Sequence, residues 1–301
     1  MKEKKVIAPN EASLLRWIAT LAAGMVFSIL LSPLLVPIVK NLKNGFMGIS
    51  REQFLEVLAW VPLFFGLVLA IRVVGKTSLK DFVLGVSGNI NRKECLILLG
   101  LYVATFWLTE LPNLEYIHLR DAEPGRFAFL FLFMLLVLWT QTTWEELVFR
   151  GFLIRWVCKN QVGYTKKAVL AAVITGVAFA LIHSGNVEVT SKSGIWVAVA
   201  MASYGVSGVM YFLVDLHFGS LLPGILIHWA NNFMLTTLIS GEVSSMAMPT
   251  LLVNTTPASG SGSALGMLVG KLLLWLPIMV YMIVDAWMKK KAAANCEDKS
   301  S

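Results

Sequence analysis

Charge is what this sequence has least of. Asp, Glu, Lys and Arg make up 14% of its 301 residues, where a soluble domain carries about 25%. A water-exposed globule of this length cannot cover its surface with so few charges. An ordinary cytosolic enzyme, a disordered chain and a free nucleic-acid binder are thereby excluded. Cysteine is equally scarce: Cys95, Cys158 and Cys296 are scattered with no CxxC pair, which argues against a disulfide framework and a zinc knuckle. There are four histidines and no HExxH, so the two-histidine helix of the zincin metalloproteases is absent. No internal repeat and no second, soluble domain is visible.

What is abundant is apolar surface. Hydrophobic residues reach 57%, with 10 Trp and 17 Phe, and mean hydropathy is +0.72. The expected class is an all-α, polytopic transmembrane helix bundle of about eight spans. Segments near 14–39, 54–74, 94–112, 127–150, 167–183, 195–216, 219–240 and 265–288 are candidates, since crossing a bilayer takes about 20 apolar residues in helical form. Pro33 and Pro37 kink the end of the first. The fifth and seventh are short, and are expected to tilt little or to stop inside the membrane. A link around His217–Ser220 makes the sixth and seventh a tight helical hairpin. Residues 1–126 read as N-terminal spans and loops and 127–240 as a transmembrane core. Residues 241–301 read as an external loop (254–263), a last span and a polar tail (292–301).

The net charge of +7 describes loops rather than an acidic partner. With the N-terminus inside, most of the Lys and Arg fall on inner segments, among them Arg72, Lys76, Arg92, Arg155, Lys159 and Lys289. The positive-inside rule then puts both termini in the cytoplasm. Lys2, Lys4 and Lys5 precede an apolar run longer than the roughly 7–15 residues of a signal-peptide core, so it reads as a retained first span. With no eukaryotic targeting signal, a bacterial inner membrane is the expected location, and the endoplasmic reticulum is the alternative. Lipids are then partners and nucleic acid is not.

Ionisable groups inside spans are costly and usually functional. Four stand out: Glu145 and Glu146 in the fourth segment, His183 at the end of the fifth, and His228, with Asn231 and Asn232, in the seventh. Glu146 and Arg150 are i,i+4 in the favourable order for an ion pair, which turns Glu145, about 100° away, toward another direction. His228 and Asn232 share one helix face. Taken singly, each has a plainer explanation: a helix end at the interface, a satisfied histidine, or hydrogen-bond glue between helices. His118 and His217 read as structural. Together, a carboxylate, two imidazoles and an amide suit acyl hydrolysis in a buried polar cavity. The carboxylate takes a proton from water, an imidazole orients or relays, and a second imidazole and an amide stabilise the oxyanion. The same groups are good zinc ligands.

In their order, Glu145-Glu146-x-x-x-Arg150, Phe179-x-x-x-His183 and His228-x-x-x-Asn232 resemble the three motifs of the CPBP intramembrane proteases. These are the CAAX proteases and bacteriocin-processing enzymes, or Abi family, with the type II CAAX prenyl endopeptidases among them. Thr77–Phe82 carries the family's flavour more weakly. The resemblance implies an endopeptidase acting on a membrane-associated, possibly lipidated, peptide or protein. Glu145 would activate water with help from His183, and His228 and Asn232 would form the oxyanion site. Glu146 and Arg150 would support it, and Asn231, out of register, would be structural or lie behind the site. Members are described both as metalloenzymes and as metal-free. No required cofactor is the favoured expectation; a divalent metal such as zinc, held by Glu145, His183 and His228, is the alternative. A silent immunity or scaffold relative and a transporter are the competing functions.

One topological tension follows. Glu145 comes late in an inward-running helix and His183 ends an outward-running one. A fourth helix continuous from Arg126 to Lys159, about 50 Å long, would bring Glu145 toward mid-membrane, and a water-filled cavity is expected there.

Overall fold

The structure, a computed structural model, describes residues 14–41, 49–85, 92–120, 123–157, 166–241, 250–255 and 260–298. Lys2, Lys4, Lys5, Cys158, Lys159 and residues 256–259 lie outside the described residues, as does the side chain of Cys296. The fold is almost wholly helical: α1 (Leu14–Leu31), α2 (Val36–Asn41), α3 (Arg51–Leu58), α4 (Trp60–Val73), α5 (Leu79–Leu84), α6 (Arg92–Glu110), α7 (Pro124–Phe149), α8 (Gly151–Val157), α9 (Lys166–Ile182), α10 (Val187–Thr190), α11 (Ile195–Phe218), α12 (Leu222–Phe233) and α13 (Gly260–Asp298). Pro33 and Pro37 act as expected: a 3-10 turn, Ser32–Leu35, separates α1 from α2.

Among the described residues, six stretches are long and apolar enough to cross a membrane: Leu14–Ile38, Arg51–Val73, Arg92–Tyr116, Pro124–Phe149, Ile195–Phe218 and Leu265–Ala292. The chain is an integral membrane helical bundle. The other two expected spans are helical but short, at 17 residues for α9 and 12 for α12. α12 passes into a π-helical turn, Met234–Leu238, before reaching full length. α9 still presents Val169, Val173, Val177 and Leu181 outward at four-residue intervals, an apolar stripe suited to lipid and not to water.

α9 seats on α11 through small residues. A Cβ at Gly208 would lie 2.7 Å from Phe179 Cβ and 3.0 Å from Thr175 O, so only glycine admits this approach, the usual device for helices packed in a bilayer. α11 closes at Gly219, left-handed at φ 63°, the common helix stop. Pro223 opens α12 two residues after the turn. The expected tight hairpin is present.

Three expectations are corrected. The fourth helix does not run on to Lys159: α7 ends at Phe149, Arg150 turns at φ −116° and α8 follows. The break turns the Arg150 side chain into the buried interior, and Phe82 of α5 packs where a side chain at Gly151 would be. The expected loop at 254–263 is in elements at both ends: Leu252–Asn254 is the middle strand of a small sheet, antiparallel to Ile117–Leu119 and parallel to Ile239–Gly241, Thr255 N beyond it donates to Tyr116 O at 2.9 Å, and α13 begins at Gly260. The tail from 292 is helical to Asp298, because α13 continues unbroken past its Lys run.

α5 is pinned by Arg155 of α8, which donates to the Asp81 and Phe82 carbonyls at 3.1 and 2.9 Å and stacks on the Phe82 ring. Burial pushes this guanidinium down to about 10, with Asp81 acting against the shift. It stays charged at neutral pH. The core carrying the site is formed by α6, α9, α11, α12 and α13, with Tyr102, Phe179, Tyr211 and Trp275 buried together.

Candidate active site

α7 delivers two carboxylates to the interior in opposite settings. Glu146 and Arg150 form the expected ion pair, 2.8 Å between Oε1 and Nη1, and both side chains are wholly buried. The Arg150 guanidinium also lies over the rings of Phe179 and Tyr211, at 4.8 and 5.4 Å. Glu145, one residue earlier, accepts from Gln141 Nε2 at 3.2 Å on its Oε1. Its Oε2 has no hydrogen-bond partner among the described residues. It points to His228, whose Nε2 lies 3.6 Å away. That is too long for a hydrogen bond, but short enough for a third atom beside the pair to touch both.

His228 comes from α12. Its Nδ1 lies 2.7 Å from Glu146 Oε1, so the oxygen that receives Arg150 also receives the ring. The ring stacks on Tyr211 at 4.6 Å and meets the edge of Phe179 at 5.5 Å. Trp229 ties the same turn of α12 to α7, donating to Leu135 O at 3.1 Å.

Asp215 of α11 sets the start of α12. Its Oδ1 accepts from Gly224 N at 2.9 Å, and its carbonyl accepts from Ser220 N at 3.1 Å. An aspartate at a helix N-terminus satisfies a donor left open by the helix and complements its dipole. Gly224 is needed there because a Cβ would strike the carboxylate. Gly224 and His228 are one turn apart on one face, so this clamp fixes the height of His228.

His183 stands apart. Its Nδ1 is 2.7 Å from the carbonyl of Phe179 in its own helix, and its ring stacks on Tyr204 at 4.4 Å. Tyr204 and Tyr211, the ring partners of His183 and His228, are seven positions apart on α11, about 10 Å along the axis. The Phe179 ring lies between the two imidazoles, 4.3 Å from one and 5.5 Å from the other. His183 makes no hydrogen bond or ion pair with Glu145 among the described residues, so direct assistance is not what the geometry displays. Nor do Glu145, His183 and His228 form a metal set: no three His, Cys, Asp or Glu are grouped to hold a metal ion among the described residues. Each imidazole has Nδ1 engaged, by Phe179 O and by Glu146, which leaves its Nε2 as the open nitrogen.

Asn232 is half-buried. Its Oδ1 accepts from Asn231 Nδ2 at 2.9 Å, and its carbonyl accepts from Thr236 Oγ1 at 2.6 Å, where the π-helical turn begins. Asn231 lies behind it and accepts from Tyr102 of α6 and Lys271 of α13, at 2.7 and 3.2 Å. His217, read as structural, bonds Asp285 at 2.7 Å and so joins α11 to α13.

Asp215 and Lys271 are not among the candidates named from the sequence. The signal was available, since both are charges inside an apolar segment, the criterion that picked out Glu145. Asp215 was obscured by its nearness to the hairpin turn and Lys271 by its place in a segment read only as a last span.

The geometry thus sets a buried carboxylate facing an imidazole, with a second carboxylate behind that ring, on helices of a membrane bundle. Residues 127–234 match the family described as type II CAAX prenyl endopeptidase Rce1-like, so the resemblance carried by the three motifs holds over that stretch. Over 126 residues, 42% of the chain, it is 27% identical to an uncharacterized protein, YyaK, of Bacillus subtilis (strain 168), and the chain spans about 40% of that relative's length. No solved structure matches.

Proposed function

We propose that the protein is an intramembrane endopeptidase that hydrolyses a peptide bond in a membrane-associated, possibly lipidated, peptide or protein. The observation that carries this is the Glu145–His228 pair: a carboxylate oxygen without a hydrogen bond among the described residues faces an imidazole nitrogen whose opposite nitrogen is held by Glu146. A water beside Glu145 Oε2 gives its proton to the carboxylate while its oxygen attacks the scissile carbonyl carbon. The charge that develops on the carbonyl oxygen is met by N–H groups of His228 Nε2 and Asn232 Nδ2. The proton held by Glu145 then passes to the leaving amine as the C–N bond breaks.

His183 acts on the substrate side of this centre rather than on Glu145. A carbonyl only accepts, so the nitrogen facing Phe179 O carries the proton and Nε2 is left able to accept one. No cofactor is required. The location is a bacterial inner membrane, with both termini cytoplasmic.

The test is cleavage of a broad fluorogenic peptide library, some members lipidated, by the protein in proteoliposomes. Wild type and Glu145→Gln are compared with and without a strong chelator. Cleavage by the wild type alone is expected; equal cleavage by Glu145→Gln would remove the assignment.

A further inference from the structure

We infer that Lys271, acting through Asn231, is a positioning residue that decides which atom of the Asn232 amide faces the substrate; this rests on the oxyanion role proposed for Asn232. Three helices converge on one atom: Tyr102 OH of α6 and Lys271 Nζ of α13 both reach Asn231 Oδ1 of α12, at 2.7 and 3.2 Å. Asn231 then donates from Nδ2 to Asn232 Oδ1 at 2.9 Å.

The direction of this chain is set by chemistry. An ammonium has donors and no acceptor, so the Asn231 atom facing Lys271 must be the oxygen. The Asn231 nitrogen then faces Asn232, which must answer with its own oxygen. That leaves both N–H groups of Asn232 Nδ2 turned away from Asn231, available to a developing oxyanion. A phenol both donates and accepts, so Tyr102 by itself permits either orientation. Without the ammonium, Asn231 can turn over, donate to Tyr102 and accept from Asn232 Nδ2. Asn232 would then present an oxygen where the oxyanion forms. Lys271 alone among the three partners of Asn231 forbids that inverted state.

The placement of Lys271 supports this reading. It lies in a membrane-spanning helix, where a cation is costly, and no carboxylate pairs with it among the described residues. Trp275, one turn further on the same face of α13, is buried against Tyr102 and Tyr211 at 5.5 and 5.0 Å, which seats α13 against the site. Both Tyr102 and Lys271 lie outside residues 127–234, so elements beyond the matched segment complete the amide chain.

The experiment is a mutant cycle on peptide cleavage in proteoliposomes, with Lys271→Met, Lys271→Arg, Asn232→Ala and the double variant Lys271→Met/Asn232→Ala. Lys271→Met is expected to lower kcat by about tenfold or more, a fraction of what losing an oxyanion donor costs, with KM changed less than about twofold. Lys271→Arg keeps a donor without an acceptor and restores most of kcat. In the Asn232→Ala background, Lys271→Met adds no further loss, because its effect passes through that amide. An equal loss in both backgrounds, or a change confined to KM, overturns the inference.

A second cycle needs no activity: the melting temperatures of Lys271→Met, Asn231→Ala and their double variant. Non-additive shifts are expected; additive shifts overturn the contact itself. Full cleavage by Glu145→Gln would instead sink the hydrolytic reading while this second cycle stood, so the two failures are distinguishable.

Discussion

Nδ1 of His228 lies 2.7 Å from Oε1 of Glu146, the same oxygen that receives Arg150 at 2.8 Å. One carboxylate oxygen thus locks an imidazole from α12 and a guanidinium at the end of α7. The i,i+4 spacing shows half of this arrangement; the other half bridges residues 82 positions apart. The ring is oriented and the Arg150 charge neutralised by a single group, so this triad is the part of the site least tolerant of change.

Glu145→Gln is expected to lower peptide hydrolysis by about 10²- to 10⁴-fold, the usual worth of a positioned general base. The fold should persist, because the amide keeps the shape and can still accept from Gln141. Initial rates beside thermal unfolding in detergent check both halves. A residual rate near that of the wild type would return the base to another group.

Glu146→Leu leaves Arg150 buried without its partner, and breaking a buried ion pair in this way costs about 3–5 kcal/mol. A large fall in melting temperature is expected. Replacing both residues, Glu146→Leu with Arg150→Met, should recover much of the stability and none of the activity, because His228 loses its orienting acceptor. Thermal unfolding and cleavage of the three variants decide it.

Gly224→Ala puts a methyl group against the Asp215 carboxylate. Overpacking of this kind costs about 1–3 kcal/mol, and it displaces the turn that leads to His228. Activity is expected to fall more than stability. Asp215→Ala, which only removes the cap, should cost about 1 kcal/mol. If Gly224→Ala were as active as the wild type, the Asp215–Gly224 clamp would not be what sets the height of His228.

Chelation followed by dialysis is expected to leave cleavage unchanged. The donors named for a metal are not grouped among the described residues. Loss of activity on chelation, recovered by added zinc, would reinstate the metal alternative.

His183→Ala is expected to reduce the rate less than His228→Ala. His183 is about two helical turns along α11 from the Glu145–His228 pair, judged by the tyrosines each ring stacks on. Matched rate measurements on folded variants are the check. An equal or larger loss for His183 would place it at the water after all.

Much was legible in the sequence because its signals are local. A low charge density and long apolar runs require lipid, and lipid requires helices. The Glu146–Arg150 pair, the prolines ending α1 and the α11–α12 hairpin follow from spacing along the chain. The tertiary structure alone decided how the polar groups share partners. Whether Glu146 also holds His228, whether Phe179 parts His183 from it, and whether Lys271 and Tyr102 meet at Asn231 all depend on which helix faces lie together. Those faces are chosen by close glycine contacts and buried aromatic packing between distant segments. Hydropathy reports how apolar a helix is and leaves its neighbours unspecified. For the same reason it marks α9 and α12 as apolar but does not say which of their faces meet the bundle and which face outward.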